Sequence, residues 1–281
     1  MVQERLVALG PDLDGVELGC LEWGDAAAPH TIVCVHGLTR NAHDFAMLAP
    51  ALAERGAHVV AVDVAGRGRS SWLADPQGYR VETYAAHLTR LLELLGLRRV
   101  DWIGTSMGGI IGMVVAAQPG DRIERLVLND IGPAVDSTTL DQIRGYLGLD
   151  LLFRDLAELE AHLRTIHAGF GRLTDAQWAA LARTSSRETP EGLRLHYDPE
   201  IRAPFLADTA GGIELWAAWD AIRCPTLVLH GADSPLLTAG ILAEMLRRRP
   251  DIEIVDFPEV GHAPALMAPE QIAIILRWLR L

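Results

Sequence analysis

The stretch Val100-Asp101-Trp102-Ile103-Gly104-Thr105-Ser106-Met107-Gly108-Gly109 decides the fold. A largely apolar run, Val100 to Ile103, leads through Gly104-Thr105 into a helical run that Pro119 and Gly120 close. A residue on so sharp a strand-to-helix turn takes a sparsely allowed backbone conformation, and its neighbours two positions away must be small. Gly104 and Gly108 meet that condition around Ser106. The helix beginning at Met107 aims unpaired N–H groups and a positive dipole end at the serine oxygen. Strand, turn and helix together read as a nucleophile held at the top of a sheet.

Working outward, the same kind of apolar run recurs at Thr31 to Val35, Val59 to Val64, Leu126 to Leu128, Thr226 to Leu229 and Ile252 to Phe257. Near-continuous hydrophobicity suits strands buried on both faces. Between most of them lie helical patterns: Asp44 to Arg55, Val81 to Leu95, Met107 to Gln118, Ala239 to Arg248 and Pro269 to Leu279. Such alternation predicts an α/β fold with a mostly parallel, eight-stranded sheet and helices on both faces. Glu4 to Trp23 reads as two strands forming an antiparallel edge. Only from Ile131 to Ala221 does the alternation break, with helical patterns at Thr139 to Leu147, Leu156 to Ala168, Asp175 to Arg183 and Ile213 to Ala221. This predicts a core of residues 1–130 and 222–281, and a helical cap of residues 131–221 placed as a lid over one sheet edge.

A serine needs a base to take its proton, and the base needs an acid to hold it. His262, in Gly261-His262-Ala263-Pro264 after the Ile252 to Phe257 run, is the expected base. Asp233, just after the Thr226 to Leu229 run, is the expected acid, in the chain order serine, acid, histidine. Asp130 is the rival, since it ends the Leu126 to Leu128 run; otherwise it reads as a cap beside Asn129. Acyl transfer also needs two backbone donors for the developing oxyanion. Met107 and Leu38 are the expected pair, the second in the loop His36-Gly37-Leu38-Thr39-Arg40-Asn41. Arg40 is a candidate for a polar or anionic end of a substrate. Tyr146, Trp216 and Trp219, with Phe153, Phe170 and Tyr197, are candidates for an apolar pocket in the cap.

Composition removes whole classes. The chain has 281 residues and a net charge of -12, its 25 basic side chains are all arginine, and they are scattered apart from Arg247, Arg248 and Arg249. A nucleic-acid face is therefore not expected, and lysine-dependent chemistry is absent. No apolar run reaches ~18 residues, so no membrane span is expected. Three separated cysteines, Cys20, Cys34 and Cys224, and a start without a basic and apolar leader point to the cytoplasm. Gly66-Arg67-Gly68-Arg69-Ser70 lacks the third glycine of a dinucleotide loop and reads as a tight strand exit. The remaining histidines show no metal-ligand spacing, so neither metal nor cofactor is expected.

His36-Gly37, Asp63-x-x-Gly66-x-Gly68-x-Ser70, Gly104-x-Ser106-x-Gly108-Gly109, Asp233 and Gly261-His262 jointly resemble the α/β-hydrolase superfamily along nearly the whole chain. The likeness is to the branch with a helical cap between the sixth and seventh strands, which includes carboxylesterases, enol-lactonases, carbon-carbon bond hydrolases and perhydrolases. Relatives that open epoxides or remove halide carry aspartate where this chain has Ser106. The loop after Gly37 is also less rich in Gly and Pro than in ring-cleavage carbon-carbon hydrolases. The resemblance implies a serine hydrolase cleaving a small carboxylic ester through an acyl-enzyme. A lactonase or carbon-carbon hydrolase would use the same residues, and a non-catalytic ligand-binding protein or receptor would keep the fold alone. The sequence leaves open a homo-oligomer.

Overall fold

A computed structural model describes residues 2–207 and 211–281. Eight strands form the main sheet: β1 (Gln3–Ala8), β2 (Glu17–Trp23), β3 (Thr31–Val35), β4 (His58–Val62), β5 (Val100–Thr105), β6 (Ile123–Asn129), and later β11 (Thr226–Gly231) and β12 (Glu253–Phe257). Their spatial order is β1-β2-β4-β3-β5-β6-β11-β12. The hairpin β1-β2 joins antiparallel to β4, and the other six strands run parallel.

The apolar runs are continuous because both faces are covered. Val33, Val35, Val60, Val62 and Trp102 point to one side, where they pack with Leu88 and Leu91 of α2 (Val81–Leu94) and Met113 of α3 (Met107–Ala117). The alternate residues Ile32, Cys34, Val59, Ala61 and Ile103 point to the other. There they meet Leu48 and Leu52 of α1 (Leu48–Ala53), and Ile275 and Leu279 of α10 (Pro269–Leu279). At ~1.5–3 kcal/mol for each large side chain fully buried, this two-sided core is the main source of stability.

Between β6 and β11 the inserted segment departs from the purely helical expectation. It holds β7 (Ala134–Val135), α4 (Ser137–Tyr146), α5 (Leu156–Ile166), α6 (Asp175–Thr184), β8 (Ser186–Thr189), β9 (Gly192–Leu195), α7 (Ala203–Ala207), β10 (Ile213–Glu214) and α8 (Trp216–Ala221). β8 pairs with β9, and β10 returns to β7. Pairs of two to four residues leave too short a pattern to read as strands, so in sequence Ile213 and Glu214 resemble the start of a helix. A small core of Phe153, Leu159, Leu163, Trp178 and Leu181 holds α5 against α6. The segment is stitched to the sheet's loops largely through its own backbone. Asn41 Nδ2 donates to Thr184 O at 2.7 Å. Gly68 N donates to His196 O at 3.1 Å, Asp198 N to Gly66 O at 2.8 Å and Gly261 N to Gly169 O at 2.8 Å. After it, α9 (Ala239–Arg248) separates β11 from β12. No helix among the described residues is long and apolar enough to cross a membrane.

Candidate active site

The candidate catalytic side chains leave the carboxyl edge of the parallel strands, where open α/β sheets bind ligands. β5 leads directly into Ser106 at φ 50°, ψ -117°, and α3 starts one residue later. The flanking glycines are a steric requirement. A Cβ on Gly104 would lie 2.3 Å from Gly108 O, and one on Gly108 would lie 2.0 Å from Val35 O.

His262 Nε2 lies 2.9 Å from Ser106 Oγ, and His262 Nδ1 lies 2.7 Å from Asp130 Oδ2. A carboxylate only accepts, so Nδ1 carries the proton and the Nε2 lone pair faces the serine. Asp130 is fully buried. Its other oxygen accepts Gly231 N–H at 2.9 Å, and Ser234 Oγ donates to Oδ2 at 2.5 Å. The acid facing His262 is therefore Asp130, and the assignment to Asp233 is corrected. Register explains why. β6 is the immediate neighbour of β5 and Thr105 pairs with Asn129, so Asp130 emerges directly beside Ser106. Asp233 lies one strand further out and is exposed, and among the described residues its one hydrogen bond runs from its backbone N–H to Val260 O at 2.9 Å. Sequence reading also missed Asn129, whose Nδ2 donates to Thr105 Oγ1 at 3.0 Å and Pro264 O at 2.8 Å, tying the His262 loop to the nucleophile strand.

Leu38 and Met107 line the same cleft as Ser106. Met107 is the first residue of α3, so its amide has no partner four residues back. At Leu38 a buried histidine sets the orientation. His36 Nδ1 donates to Gly37 O at 2.7 Å while His36 Nε2 accepts Val64 N–H at 3.0 Å. In a trans peptide C=O and N–H point opposite ways, so anchoring Gly37 O turns Leu38 N–H the other way. Burial holds His36 down to about 3, which keeps it in the neutral form that can both donate and accept. Arg67, also fully buried, donates to Leu38 O at 2.9 Å, Ala65 O at 2.7 Å, Tyr84 Oη at 2.7 Å and Met107 Sδ at 3.6 Å. Among the described residues it has no carboxylate partner, so it biases the loop's surroundings toward negative charge. Nothing in the sequence marked Arg67 beyond its place in a tight loop; a pattern search for carboxylate partners would have passed over it.

The cleft around Ser106 is otherwise apolar, with Ile110, Ile131, Leu140, Ile143 and Phe205 among its walls. The aromatic candidates lie elsewhere. Trp219 is fully buried, with Arg249 over its ring at 5.2 Å, and Trp216 sits under Arg248 at 4.7 Å. Both pack α8 against the body of the protein because the chain must turn back there into β11. Tyr146 lines a separate small cavity beside Arg40. Arg40 spends most of its donors within the fold: Nε and Nη2 on Asp44 at 2.6 to 3.2 Å, and Nη1 on Ser185 Oγ at 2.9 Å. A larger cleft, around His30, Arg125 and Trp278, is at the opposite, amino-terminal edge of the strands, remote from Ser106.

Comparison with known proteins agrees with this architecture. The family model described as alpha/beta hydrolase fold matches residues 30–269. A 3-hydroxybutyrate-oligomer hydrolase of Cupriavidus necator is 45% identical over 262 residues, covering 90% of this chain and 89% of that one. A 2-(acetamidomethylene)succinate hydrolase of Mesorhizobium japonicum is 28% identical over 96% of this chain and 94% of its own. Among solved structures, an alpha/beta hydrolase from Novosphingobium aromaticivorans superimposes with a TM-score of 0.88 at 35% identity, over 99% of this chain and 98% of that one.

Proposed function

This chain belongs to the alpha/beta hydrolase fold family and is a hydrolase, and from that premise we propose that it is a serine esterase working through an acyl-enzyme. The observation that carries the reading is the unbroken relay from Asp130 through His262 to Ser106 on a strained turn. Ser106 Oγ attacks the ester carbonyl as its proton passes to His262 Nε2, and Asp130 stabilises the imidazolium that results. The tetrahedral oxyanion is held by the amides of Met107 and Leu38, each donor contributing ~2.7–4 kcal/mol. Collapse of that intermediate breaks the ester C–O bond, and His262 returns the proton to the leaving alcohol. Water, deprotonated by the same histidine, then releases the acid and restores Ser106. The apolar cleft around Ser106 suits an acyl group without charge, and the inserted segment acts as the cap over it.

Labelling with a fluorophosphonate tests this reading. Stoichiometric modification of Ser106, absent in Ser106→Ala together with ester turnover, is the expected result. Unlabelled protein, or ester turnover near the original level in Ser106→Ala, overturns it.

A further inference from the structure

We propose that the leaving-group half of the substrate carries a carboxylate, and that His167 and Arg40 hold it in the small cavity between α5 and the loop 36–41. This rests on the esterase reading and names its substrate class: esters whose alcohol is a hydroxy acid.

That cavity is lined on its polar side by Thr39, Arg40, Tyr146, His162, His167 and Tyr197. It offers ≈ 30 Å³ of water-accessible room. A single water needs ~10–15 Å³, so the space fits a group of a few heavy atoms and not a chain. Each of these side chains can donate a hydrogen bond, and Arg40 is the one fixed positive charge among them. Among the described residues His167 Nε2 is buried without a hydrogen-bond partner, a costly state in a folded protein unless something fills it. Three of the five N–H groups of Arg40 go to Asp44 and Ser185, leaving two without a partner among the described residues. Burial first, then the neighbouring Arg40, His262 and His162, keep His167 well below the usual histidine range. The ring is thus neutral, and in the Nε2–H tautomer it gives one N–H to a carboxylate oxygen. A cationic substrate group would meet the Arg40 guanidinium and no carboxylate among the residues that line the cavity.

The position of this cavity says which half of the substrate it serves. Gly169 O accepts Gly261 N–H at 2.8 Å, and a methyl on Gly169 would lie 3.0 Å from His262 N. The segment carrying His167 therefore rests on the histidine that protonates the leaving alkoxide. The acyl cleft lies on the other side of the same loop, with Leu38 in its wall while Thr39 and Arg40 line the small cavity. In the reaction, R–CO–O–R′–COO⁻ and water give R–COO⁻, HO–R′–COO⁻ and a proton. The acyl C–O bond breaks, water supplies hydroxyl to the acyl carbon, and the alkoxide takes the proton from His262. A short oligoester of a hydroxy acid has this shape at its carboxylate end.

Two esters with one acyl group test the proposal: the butyryl ester of 3-hydroxybutyrate with its carboxylate free, and the methyl ester of the same compound. The expected ratio of kcat/KM is at least tenfold in favour of the free carboxylate. The ratio should fall toward one in His167→Leu and keep part of its value in His167→Gln, which retains an N–H. Since both esters are measured on one preparation, partial misfolding of a variant cancels. Equal rates for the two esters in the unmodified protein overturn this inference and leave the esterase reading standing, as does a ratio untouched by His167→Leu. Turnover of neither ester removes both.

Discussion

Asp130→Asn is the substitution with the sharpest consequence, because the surroundings of Asp130 dictate how the new amide must sit. Gly231 N–H points at Oδ1 from 2.9 Å and can only donate, so the oxygen of the introduced amide must take that side. The NH₂ group is then forced toward His262 Nδ1, 2.7 Å away, which has to present a lone pair instead of a proton. The imidazole switches tautomer, Nε2 becomes protonated, and it can no longer accept the proton of Ser106 at 2.9 Å. In triads where this swap leaves the geometry intact the loss is ~10⁴ in kcat, or about 5.5 kcal/mol of transition-state stabilisation at ~1.4 kcal/mol per decade. Hydrolysis of p-nitrophenyl butyrate and the rate of fluorophosphonate labelling should fall together, with the thermal unfolding midpoint showing that the variant is folded. Asp233→Asn, at an exposed side chain, should change the rate by less than about twofold. Asp130→Asn retaining more than a tenth of the activity, or Asp233→Asn losing a hundredfold, would refute the relay described above.

Further substitutions probe the parts around that relay. Gly108→Ala drives a methyl to 2.0 Å from Val35 O and should cost about 3 kcal/mol or prevent folding. Gly145→Ala in α4 meets nothing within 4 Å and should be stabilising by ~0.5–1 kcal/mol, so equal chemical denaturation of the two variants would contradict the steric account. Arg67→Met removes the buried guanidinium that grips Leu38 O and should lower kcat ten- to a hundredfold with KM little changed; a rise in KM at constant kcat would place Arg67 outside the oxyanion apparatus. Burial holds His36 at about 3, below its unfolded value near 6.5, so the unfolded chain binds the extra proton. Stability from this residue is complete above pH 6.5 and is lost below it, at up to ~1.4 kcal/mol per pH unit. Urea unfolding should show the loss between pH 7 and 5.5, before most carboxylates titrate, and an unchanged midpoint would contradict it.

Strands and helices of the sheet were legible because burial on both faces writes itself as uninterrupted Val, Ile and Leu, with Gly and Pro at the ends; Ala239–Arg248 and Pro269–Leu279 match to the residue. The elbow was legible for a steric reason, since so few residue types fit on either side of Ser106. The acid was not. Asp130 and Asp233 both follow apolar runs, and chain order does not reveal that β6, not β11, is the neighbour of β5. Arg40 shows a second limit: the sequence does not reveal that Asp44, four residues on, takes its Nε and one Nη2 N–H, so that only part of the guanidinium is left for a ligand. Trp219 misled similarly, because an aromatic serves the packing of α8 as well as it would a pocket.

The stitches between the inserted segment and the sheet's loops bear on how this scaffold can change over generations. Asn41 grips Thr184 O, Gly68 grips His196 O, and Gly261 grips Gly169 O, so at each of these points the inserted segment offers only main chain. Any side chain at Thr184 or His196 supplies the same carbonyl. Only Gly169, whose Cα lies against Gly261, resists exchange. Mutational drift in the roof of the cleft can therefore rewrite substrate choice while the carbonyls that brace the loop 36–41, Gly68 and the His262 loop stay in place, and these supports are insulated from the diversity built above them.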